Sequence, residues 1–360
     1  MAELLKTPLN TWHKENGGRI VPFAGWEMPV QYSSILDEHK HTRARASVFD
    51  ISHMGEFYLS GPGATEALSR VATQNLATLT PGKCRYGFLL NDHGGVLDDL
   101  IVYRLAADRY MLVVNGACID SDFAWIKDHL ATGLSLSNHS FEIAKIDLQG
   151  PESFAVLTRT MPGDWASLGY FGFREVECDG FKLLVSRTGY TGELGYEFYL
   201  PWDKAERLWT RLLADTAVRP AGLGARDTLR LEVGLPLYGQ DLDTGHTPIE
   251  AGYGSMLKSE ADFIGKSGLD TVRERLVGLR IDGRRSARHS DEVFVGGTRV
   301  GTITSGSFAP SLGYCVAMAY VRADMADQGV FTVKGPKTTL EAIRADMPFY
   351  TAGTARTKLG

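Results

Sequence analysis

The chain has 360 residues, more than the roughly 250–300 at which one hydrophobic core stops growing, so we expect two or three domains. Its net charge of −5 argues against a nucleic-acid partner and favours a small molecule or a protein. The four cysteines lack C-x-x-C spacing and no 18-residue apolar run occurs, so we expect no structural zinc, no disulfide framework and no membrane contact.

The N-terminal half of the chain alternates predicted helices and strands. Residues 1–18 show neither an apolar leader nor transit-peptide character, so we expect a cytoplasmic protein. A cap at Ser33 or Ser34 predicts a helix over 33–46. Periodicity and turn residues then predict a strand at 55–63, a helix at 64–72, a hairpin at 84–105 with its turn at 91–95, a strand at 109–116 and a helix at 117–130. This block, roughly 50–135, is typical of a compact α+β lobe.

The C-terminal half begins with a hairpin-like unit at 181–201, followed by amphipathic helices at 202–215 and 223–234. Gly234 is suited to end the second helix. From residue 276 onward, short strands alternate with glycine turns, which is typical of a small β-barrel or sandwich. We therefore predict an α+β chain with one unit at 1–270, in which 50–135 is an inserted lobe, a linker near 265–275 and a β-barrel at 275–360.

Two adjacent carboxylates interrupt the predicted strand GGVLDDLIVYRL at 94–105. Successive side chains of a strand point to opposite faces, so Asp98 shares a face with Leu100, and Asp99 shares the other with Leu97 and Tyr103. Both faces are apolar, so at least one carboxylate should be poorly solvated, at a cost of several kcal/mol. We interpret the pair as a carboxylate held in a cleft for ligand binding or proton transfer, and the alternative is a solvated hairpin end.

A glycine-rich stretch, SRTGYTGELGYEFYL at 186–200, places Glu197 between aromatic residues in a strand. Glycines allow a ligand or another backbone to approach closely, and no phosphate-loop pattern is present. In GLGARDTLRLE at 222–232, Arg226 and Arg230 lie one helical turn apart, for which we favour a surface helix stabilised by ion pairs.

The histidines give no pattern that favours a metal. His39 and His41 are two residues apart, so on a helix they do not face each other, and we assign no metal site. No serine occupies a G-x-S-x-G turn, which argues against an acyl hydrolase.

Eight stretches occur in an order and spacing that resemble the T-protein family of the glycine cleavage system, whose members are aminomethyltransferases. The resemblance extends over nearly the whole chain. The stretches are KTPLNTWHKENGGRIVPFAGWEMPVQY, FDISHMGEFYLSGP, YGFLLNDHGGVLDDLIVYRL, SRTGYTGELGYEFYL, GLGARDTLRLEVGLPLYGQDLD, TPIEAG, FIGKSGL and GTITSGSFAPSLG.

The resemblance implies a three-lobed, cloverleaf fold, with two α+β lobes that bind folate and a C-terminal β-barrel. It implies an enzyme that transfers the methylene of an aminomethyl group, carried on lipoylated H-protein, to the co-substrate tetrahydrofolate. Ammonia and dihydrolipoyl H-protein would be released. We expect a monomer that meets H-protein transiently.

The resemblance also implies roles for individual residues. Asp99, the second Asp of the pair, matches the catalytic acid of the family. The residues implied to bind tetrahydrofolate are Glu197, which would hydrogen-bond the pterin, together with Tyr86, Tyr190, Arg226, Met54 and Arg356. We expect Asp99→Asn to lose most turnover and Glu197→Ala mainly to weaken folate binding.

Two related functions are the alternatives. One is a tetrahydrofolate-dependent demethylase that takes a methyl group from sulfur or oxygen. The other is a non-enzymatic, folate-binding factor of iron–sulfur assembly, whose KGCYxGQE-type cysteine motif is missing here. The chain departs from many T-proteins at Leu194 and Tyr196, where they have Asp and Phe, and these departures could alter the substrate.

Overall fold

The computed structural model describes residues 3–359. Its helices lie mostly where the sequence predicts them. They are α1 (Asn10–Glu15), α2 (Ile35–Ala44), α3 (Ala64–Val71), α4 (Ile119–His129), α5 (Ser153–Thr160), α6 (Ala205–Leu213) and α7 (Leu223–Glu232). Within residues 3–359, no helix is long and apolar enough to cross a membrane.

The strands fall into four groups along the chain. The first group is β1 (Leu5–Lys6), β2 (Arg19–Phe23), β3 (Trp26–Gln31) and β4 (Ala46–Asp50). The second is β5 (Gly55–Ser60), β6 (Lys83–Leu90), β7 (Val96–Ala106), β8 (Arg109–Val114) and β9 (Ser135–Asn138). The third is β10 (Ile143–Gln149), β11 (Phe173–Cys178), β12 (Phe181–Ser186), β13 (Gly195–Pro201) and β14 (Val218–Pro220). The fourth is β15 (Glu274–Ile281), β16 (Glu292–Val295), β17 (Thr298–Ala309), β18 (Tyr314–Arg322), β19 (Val330–Gly335) and β20 (Thr338–Ala345).

Three lobes result from this order of elements. A five-stranded sheet, β6-β7-β8-β5-β9, forms the lobe at 55–138, and a six-stranded sheet, β11-β12-β13-β10-β4-β14, forms a second lobe. Strands β15 to β20 close into a barrel, while β1, β3 and β2 form a small N-terminal sheet. The predicted α+β class with a C-terminal barrel is therefore confirmed. Strand β4 belongs to the six-stranded sheet because it pairs with β10, so the five-stranded lobe begins only at Gly55.

The two α+β lobes face each other through their sheets. Tyr103 and Val113 of the five-stranded sheet pack against Leu184 and Tyr199 of the six-stranded sheet. Helices cover the outer faces, with α3 and α4 on the first sheet and α5 and α6 on the second. Side chains between the sheets are thus shielded from water by both sheets. An ionised side chain in this position needs a partner.

The two predicted hairpins are confirmed by strand pairing. Strands β6 and β7 are antiparallel, with Phe88 opposite Asp99, and β12 pairs with β13, with Ser186 opposite Glu197. A β-bulge interrupts the first hairpin where Leu89 pairs with Asp98 but Leu90 pairs with Val96. The extra residue, Leu97, consequently packs on the helix-covered side, and not on the face of Asp99 as strict alternation predicted.

Helix termini follow the predicted cap chemistry. Ser34 caps α2, because its side-chain oxygen accepts a hydrogen bond from the backbone N–H of Asp37. Gly234 follows α7 with φ of +67°, a conformation that glycine adopts without a Cβ clash. Its N–H donates to the carbonyl of Leu231, which closes the last turn.

The three lobes meet at a common apolar core. Phe88 and Val96 of the five-stranded lobe, Leu231 of α7 and Met318 of the barrel belong to one cluster of buried side chains. The segment predicted as a linker contributes Leu269, which is 7% exposed, so part of it is packed into this junction.

Helix α7 is not a surface ion-pair helix, which corrects the sequence prediction. Arg230 is 1% exposed and donates to the Asp241 carboxylate at 2.6 Å and to the Ser305 hydroxyl of the barrel at 2.9 Å. Helical periodicity gives the spacing of Arg226 and Arg230 but cannot show that the barrel covers this face of the helix.

We expect Arg230→Leu to lower the free energy of unfolding by about 3–5 kcal/mol, because the buried Asp241 carboxylate would lose its cation. Arg159→Leu is a matched control, since Arg159 pairs with Asp215 while 53% of its side chain is exposed, and about 0–1 kcal/mol is expected there. Chemical denaturation followed by fluorescence measures both changes. An Arg230→Leu variant as stable as the parent would contradict the assignment.

Candidate active site

Asp98 and Asp99 point to opposite faces of β7, as strand geometry predicts. Asp98 is fully buried on the side covered by α4, where it lies beside Asp122. Asp99 lies on the side that faces the second sheet, where the Tyr86 hydroxyl donates to it. The prediction that at least one carboxylate is poorly solvated is confirmed by Asp98.

Asp99 is held by two donors. The Tyr86 hydroxyl donates to Asp99 Oδ2 at 2.9 Å, and the Asn115 side-chain amide donates to Oδ1 at 2.8 Å. Burial raises the pKa of Asp99, and the neighbouring Asp98 charge raises it further, to about 7, although both hydrogen bonds oppose the shift. A carboxyl group with a pKa near neutrality can both accept and release a proton under physiological conditions.

A second cluster of charged side chains lies on the six-stranded sheet around Glu197, which is 3% exposed. Glu197 Oε1 lies 3.2 Å from Lys145 Nζ, and Oε2 accepts hydrogen bonds from Thr188 at 2.6 Å and from Tyr199 at 3.2 Å. Burial alone would raise the pKa of Glu197, but Lys145 and Thr188 bring it below its ordinary value. Glu197 is therefore an ionised carboxylate inside the protein.

Asp147 lies directly opposite Glu197, on the adjacent strand β10. Arg226 Nη1 donates to Asp147 Oδ2 at 2.8 Å, whereas Asp147 Oδ1 is buried without a hydrogen-bond partner. Burial and then the Glu197 charge raise the pKa of Asp147 to about 7, against the effect of Arg226. Buried acceptors without partners are uncommon, so the free Oδ1 marks a position where a donor from a ligand would be favourable.

Aromatic side chains connect the two clusters. The ring of Tyr190 lies 4.8 Å from the Arg226 guanidinium, and its hydroxyl donates to the carbonyl of Pro236. The ring centroid of Tyr86 lies 6.0 Å from that of Tyr253. The Tyr103 hydroxyl reaches Glu197 Oε2 at 3.4 Å from the strand that carries Asp99. The walls between the acid and the charged cluster are thus flat aromatic faces.

The structure brings Met54 to the charged cluster, whereas Arg356 lies beside Tyr170. Met54 Sδ lies 3.4 Å from Lys145 Nζ. Arg356 is exposed, and its guanidinium lies 6.0 Å from the ring of Tyr170. The C-terminal segment that carries it is fixed to the glycine-rich loop, because Thr354 Oγ1 donates to Glu193 at 2.5 Å.

Sequence reasoning missed Lys145, Asp147 and Asn115. Lys145 and Asp147 share one face of IAKIDLQ at 143–149, an otherwise apolar strand, so the reasoning applied to Asp98 and Asp99 could have found them. Asn115 follows the apolar strand RYMLVV, and a single amide at a strand end carries no comparable signal.

The two residues that depart from many T-proteins do not line this site. Tyr196 is fully buried in the core between the six-stranded sheet and its helices. Leu194 is 3% exposed, and its backbone N–H already donates to Thr354 Oγ1 at 2.9 Å.

The histidines predicted not to bind a metal have separate partners. His39 Nδ1 lies 2.8 Å from Thr228 Oγ1, and His41 Nε2 lies 3.0 Å from the carbonyl of Ala217.

Known proteins share this architecture and sequence. A family model of the GCVT N-terminal domain matches residues 9–261, and a model of the glycine cleavage T-protein C-terminal barrel domain matches residues 274–351. The chain belongs to the glycine cleavage T-protein family. Curated aminomethyltransferases of Halothermothrix orenii and Bacillus subtilis are each 43% identical to it, over 96% of this chain and 99% of theirs.

A solved T-protein structure has the same fold. Glycine cleavage system aminomethyltransferase T from Bartonella henselae aligns with a TM-score of 0.91 at 36% identity, over 98% of this chain and 99% of that one. As a T-protein family member, the chain is an aminomethyltransferase, and the family uses tetrahydrofolate.

Proposed function

We propose that the protein transfers the methylene of an aminomethyl group, carried as a thioether on lipoylated H-protein, to tetrahydrofolate. The carbon leaves both sulfur and nitrogen and bonds to two folate nitrogens. The two N–H protons given up by the folate go to the lipoyl sulfur, which leaves as a thiol, and to the departing amine, which leaves as ammonia. The products are 5,10-methylenetetrahydrofolate, ammonia and dihydrolipoyl H-protein.

The observation that carries the proposal is the placement of Asp99 and Glu197 on facing sheets, joined by tyrosines. An ionised Glu197 and the unpartnered Asp147 Oδ1 suit the N–H and amino donors of a pterin, with charge-assisted hydrogen bonds. The faces of Tyr86 and Tyr190 suit flat pterin and aminobenzoyl rings. These residues fit tetrahydrofolate, and the exposed Arg356 is proposed to meet its tail.

Asp99 then has a defined task at the reacting nitrogens. Its carboxylate accepts a hydrogen bond from a folate N–H, which orients the nitrogen for attack on the methylene carbon. The same negative charge stabilises the cation that develops as sulfur or amine leaves. With its pKa of about 7, Asp99 can also take up the nitrogen's proton and return it to a leaving group.

The domain division follows from this assignment. We propose that residues 1–270 form the folate-binding unit, in which the inserted lobe, bounded by the structure at 55–138, supplies Asp99, and that residues 275–360 form the separate barrel domain. The enzyme would act as a monomer that meets H-protein transiently.

The test is turnover with purified, aminomethyl-loaded H-protein, following methylenetetrahydrofolate and ammonia with and without tetrahydrofolate. Folate-dependent release of both products supports aminomethyl transfer. Tight folate binding without product would overturn it and direct the search to methylated sulfur and oxygen donors, the demethylase alternative. Folate binding with no one-carbon product from any donor would favour the non-enzymatic alternative.

We expect kcat/KM to rise with pH through a midpoint of about 7, because the Asp99 carboxylate must be ionised to accept the folate N–H. Activity is therefore low below this midpoint and level above it. Asp147 has a similar pKa of about 7, so the Asp147→Asn variant is the control. A midpoint that survives in Asp99→Asn but disappears in Asp147→Asn would assign the ionisation to Asp147 and contradict ours.

A further inference from the structure

A third carboxyl group, that of Asp122, lies on the helix-covered side of the Asp98–Asp99 pair. Asp122 lies in the first turn of α4, is 2% exposed and lies beside Asp98. Its Oδ2 atom is buried without a hydrogen-bond partner. The carboxyl oxygens of Asp98 and Asp122 lie within 4.8 Å of each other and of the Cys118 thiol. The proposed reaction assigns no role to this group.

Charge balance requires a proton in this cluster. Among residues 3–359, no lysine, arginine or histidine nitrogen forms an ion pair with Asp98, Asp99 or Asp122. Asp98 and Asp122 are buried and Asp99 is half-buried, and three adjacent carboxylates in such a place without a cation cannot all be ionised. A hydrogen bond between two carboxyl groups also requires that one of them carry the hydrogen.

Asn115 shows which carboxyl is ionised. Its backbone N–H donates to Asp98 Oδ2 at 3.0 Å, and its side-chain amide nitrogen lies 2.8 Å from Asp98 Oδ1 and 2.8 Å from Asp99 Oδ1. Every atom around the side-chain nitrogen is an acceptor, so this atom must be the NH₂ end of the amide, and its two hydrogens go to the two aspartates. Burial raises the pKa of Asp98, but Asn115 donates to both of its oxygens and so favours its ionised form, and we therefore assign the proton of the cluster to Asp122.

We propose that Asp122 is a positioning residue for Asp99: as a neutral acid it donates to Asp98, keeps Asp98 an acceptor for Asn115, and so directs the second amide hydrogen of Asn115 onto Asp99. The chain of hydrogen bonds runs from Asp122 through Asp98 and Asn115 to Asp99. It rests on the role of Asp99 in the proposed function. Burial and then the Asp98 charge raise the pKa of Asp122 to about 10, which agrees with a neutral group at physiological pH.

Other titratable groups face this chain of hydrogen bonds. Cys118 of the turn before α4 and Tyr238 lie beside Asp98 and Asp122, and burial raises the pKa of both well above their ordinary values, so they stay neutral. Tyr86, Tyr190 and Tyr253 face Asp99 and are neutral for the same reason. In this hydrogen-bond chain, the ionisation that changes near neutral pH is therefore that of Asp99.

The kinetic test compares Asp122→Ala with Asp122→Asn. In Asp122→Ala the proton settles on Asp98, so the repulsion that raises the pKa of Asp99 is removed and the midpoint of kcat/KM moves below about 7. Asn115 also loses an acceptor, and kcat falls by up to about 100-fold because Asp99 is no longer held. Asp122→Asn keeps a donor to Asp98 and should keep the midpoint. Asp120→Asn, on the exposed side of the same turn, is the matched control and should change neither quantity.

A second measurement does not depend on activity or on the stability of the alanine variant. Infrared spectra at about pH 8, where an ordinary aspartate is ionised, should show a carboxylic-acid C=O band that Asp122→Asn removes. Absence of this band, or an unchanged midpoint in Asp122→Ala, would overturn the proposal. So would a stoichiometric metal ion in the purified protein that is lost in Asp122→Asn. If turnover with H-protein fails altogether while the band is present, the proposed function fails and the hydrogen-bond chain stands.

Discussion

Replacing Asp99 by asparagine is expected to lower kcat by at least about 100-fold, as for removal of one electrostatic group aimed at developing charge. Asparagine has the same shape and still accepts from Tyr86 or Asn115, so the fold should be retained. It carries no negative charge and cannot take up the folate proton. Steady-state kinetics with loaded H-protein measure the loss.

Melting temperatures check that the loss of activity is not loss of folding. The pKa of Asp99 is about 7 in the fold and 3.8 ordinarily, so between these values the folded protein holds a proton that the unfolded chain has lost. The contribution of Asp99 to the free energy of unfolding therefore falls as the pH rises from about 4 to about 7. Asparagine does not ionise, so Asp99→Asn lacks this pH-dependent destabilisation. The melting temperature of the variant minus that of the parent should therefore be larger at about pH 8 than at about pH 4.

Asp92→Asn is the control for both measurements, because Asp92 is exposed in the turn of the same hairpin. It should change neither kcat nor the melting temperature. A fully active Asp99→Asn enzyme would remove Asp99 from the mechanism, whereas an inactive variant that fails to melt cooperatively would leave a folding defect as the explanation.

Replacing Glu197 by glutamine is expected to raise the tetrahydrofolate Kd by about 10–100-fold, the equivalent of about 1.5–3 kcal/mol for a hydrogen bond to a charged group. Glutamine has nearly the same volume as glutamate, but an NH₂ group replaces one of the two carboxylate oxygens. This group is a donor and cannot accept a hydrogen bond from the N–H groups of the pterin. The effect should appear in KM for folate more than in kcat, because the contact is made before reaction as well as during it.

Glutamine is a better probe of Glu197 than alanine. The carboxylate lies 3.2 Å from Lys145, which is 1% exposed, so Glu197→Ala would leave a buried ammonium without a partner and lower stability as well as binding. Glu175→Gln is the matched control, because Glu175 lies on the same sheet with 63% of its side chain exposed. Calorimetric titration with tetrahydrofolate measures all three variants. An unchanged Kd for Glu197→Gln would exclude Glu197 from the folate site.

The sequence by itself determined the local helices, strands and turns, and it predicted that a carboxylate of the Asp98–Asp99 pair is buried. The hairpin around residues 91–95, the cap at Ser34 and the end of α7 at Gly234 depend on neighbours within a few residues, so turn and cap chemistry predicts them. Alternation along β7 predicted that Asp98 and Asp99 point apart, and it failed only at Leu97, where a bulge adds one residue.

Only the tertiary structure decided which groups meet. Glu197 is neutralised by Lys145, 52 residues away in the chain, and Asp147 pairs with Arg226, 79 residues away. Arg230 is buried because the barrel covers α7, and Asn115 lies against Asp98 and Asp99 because β8 pairs with β7. The order of strands in each sheet, the faces through which the two sheets pack and the contacts between lobes depend on the packing of the whole chain. The periodicity of hydrophobic residues within one element does not specify them. The charge of a buried side chain depends on its partners, so its protonation becomes definable only once the fold has brought those partners together.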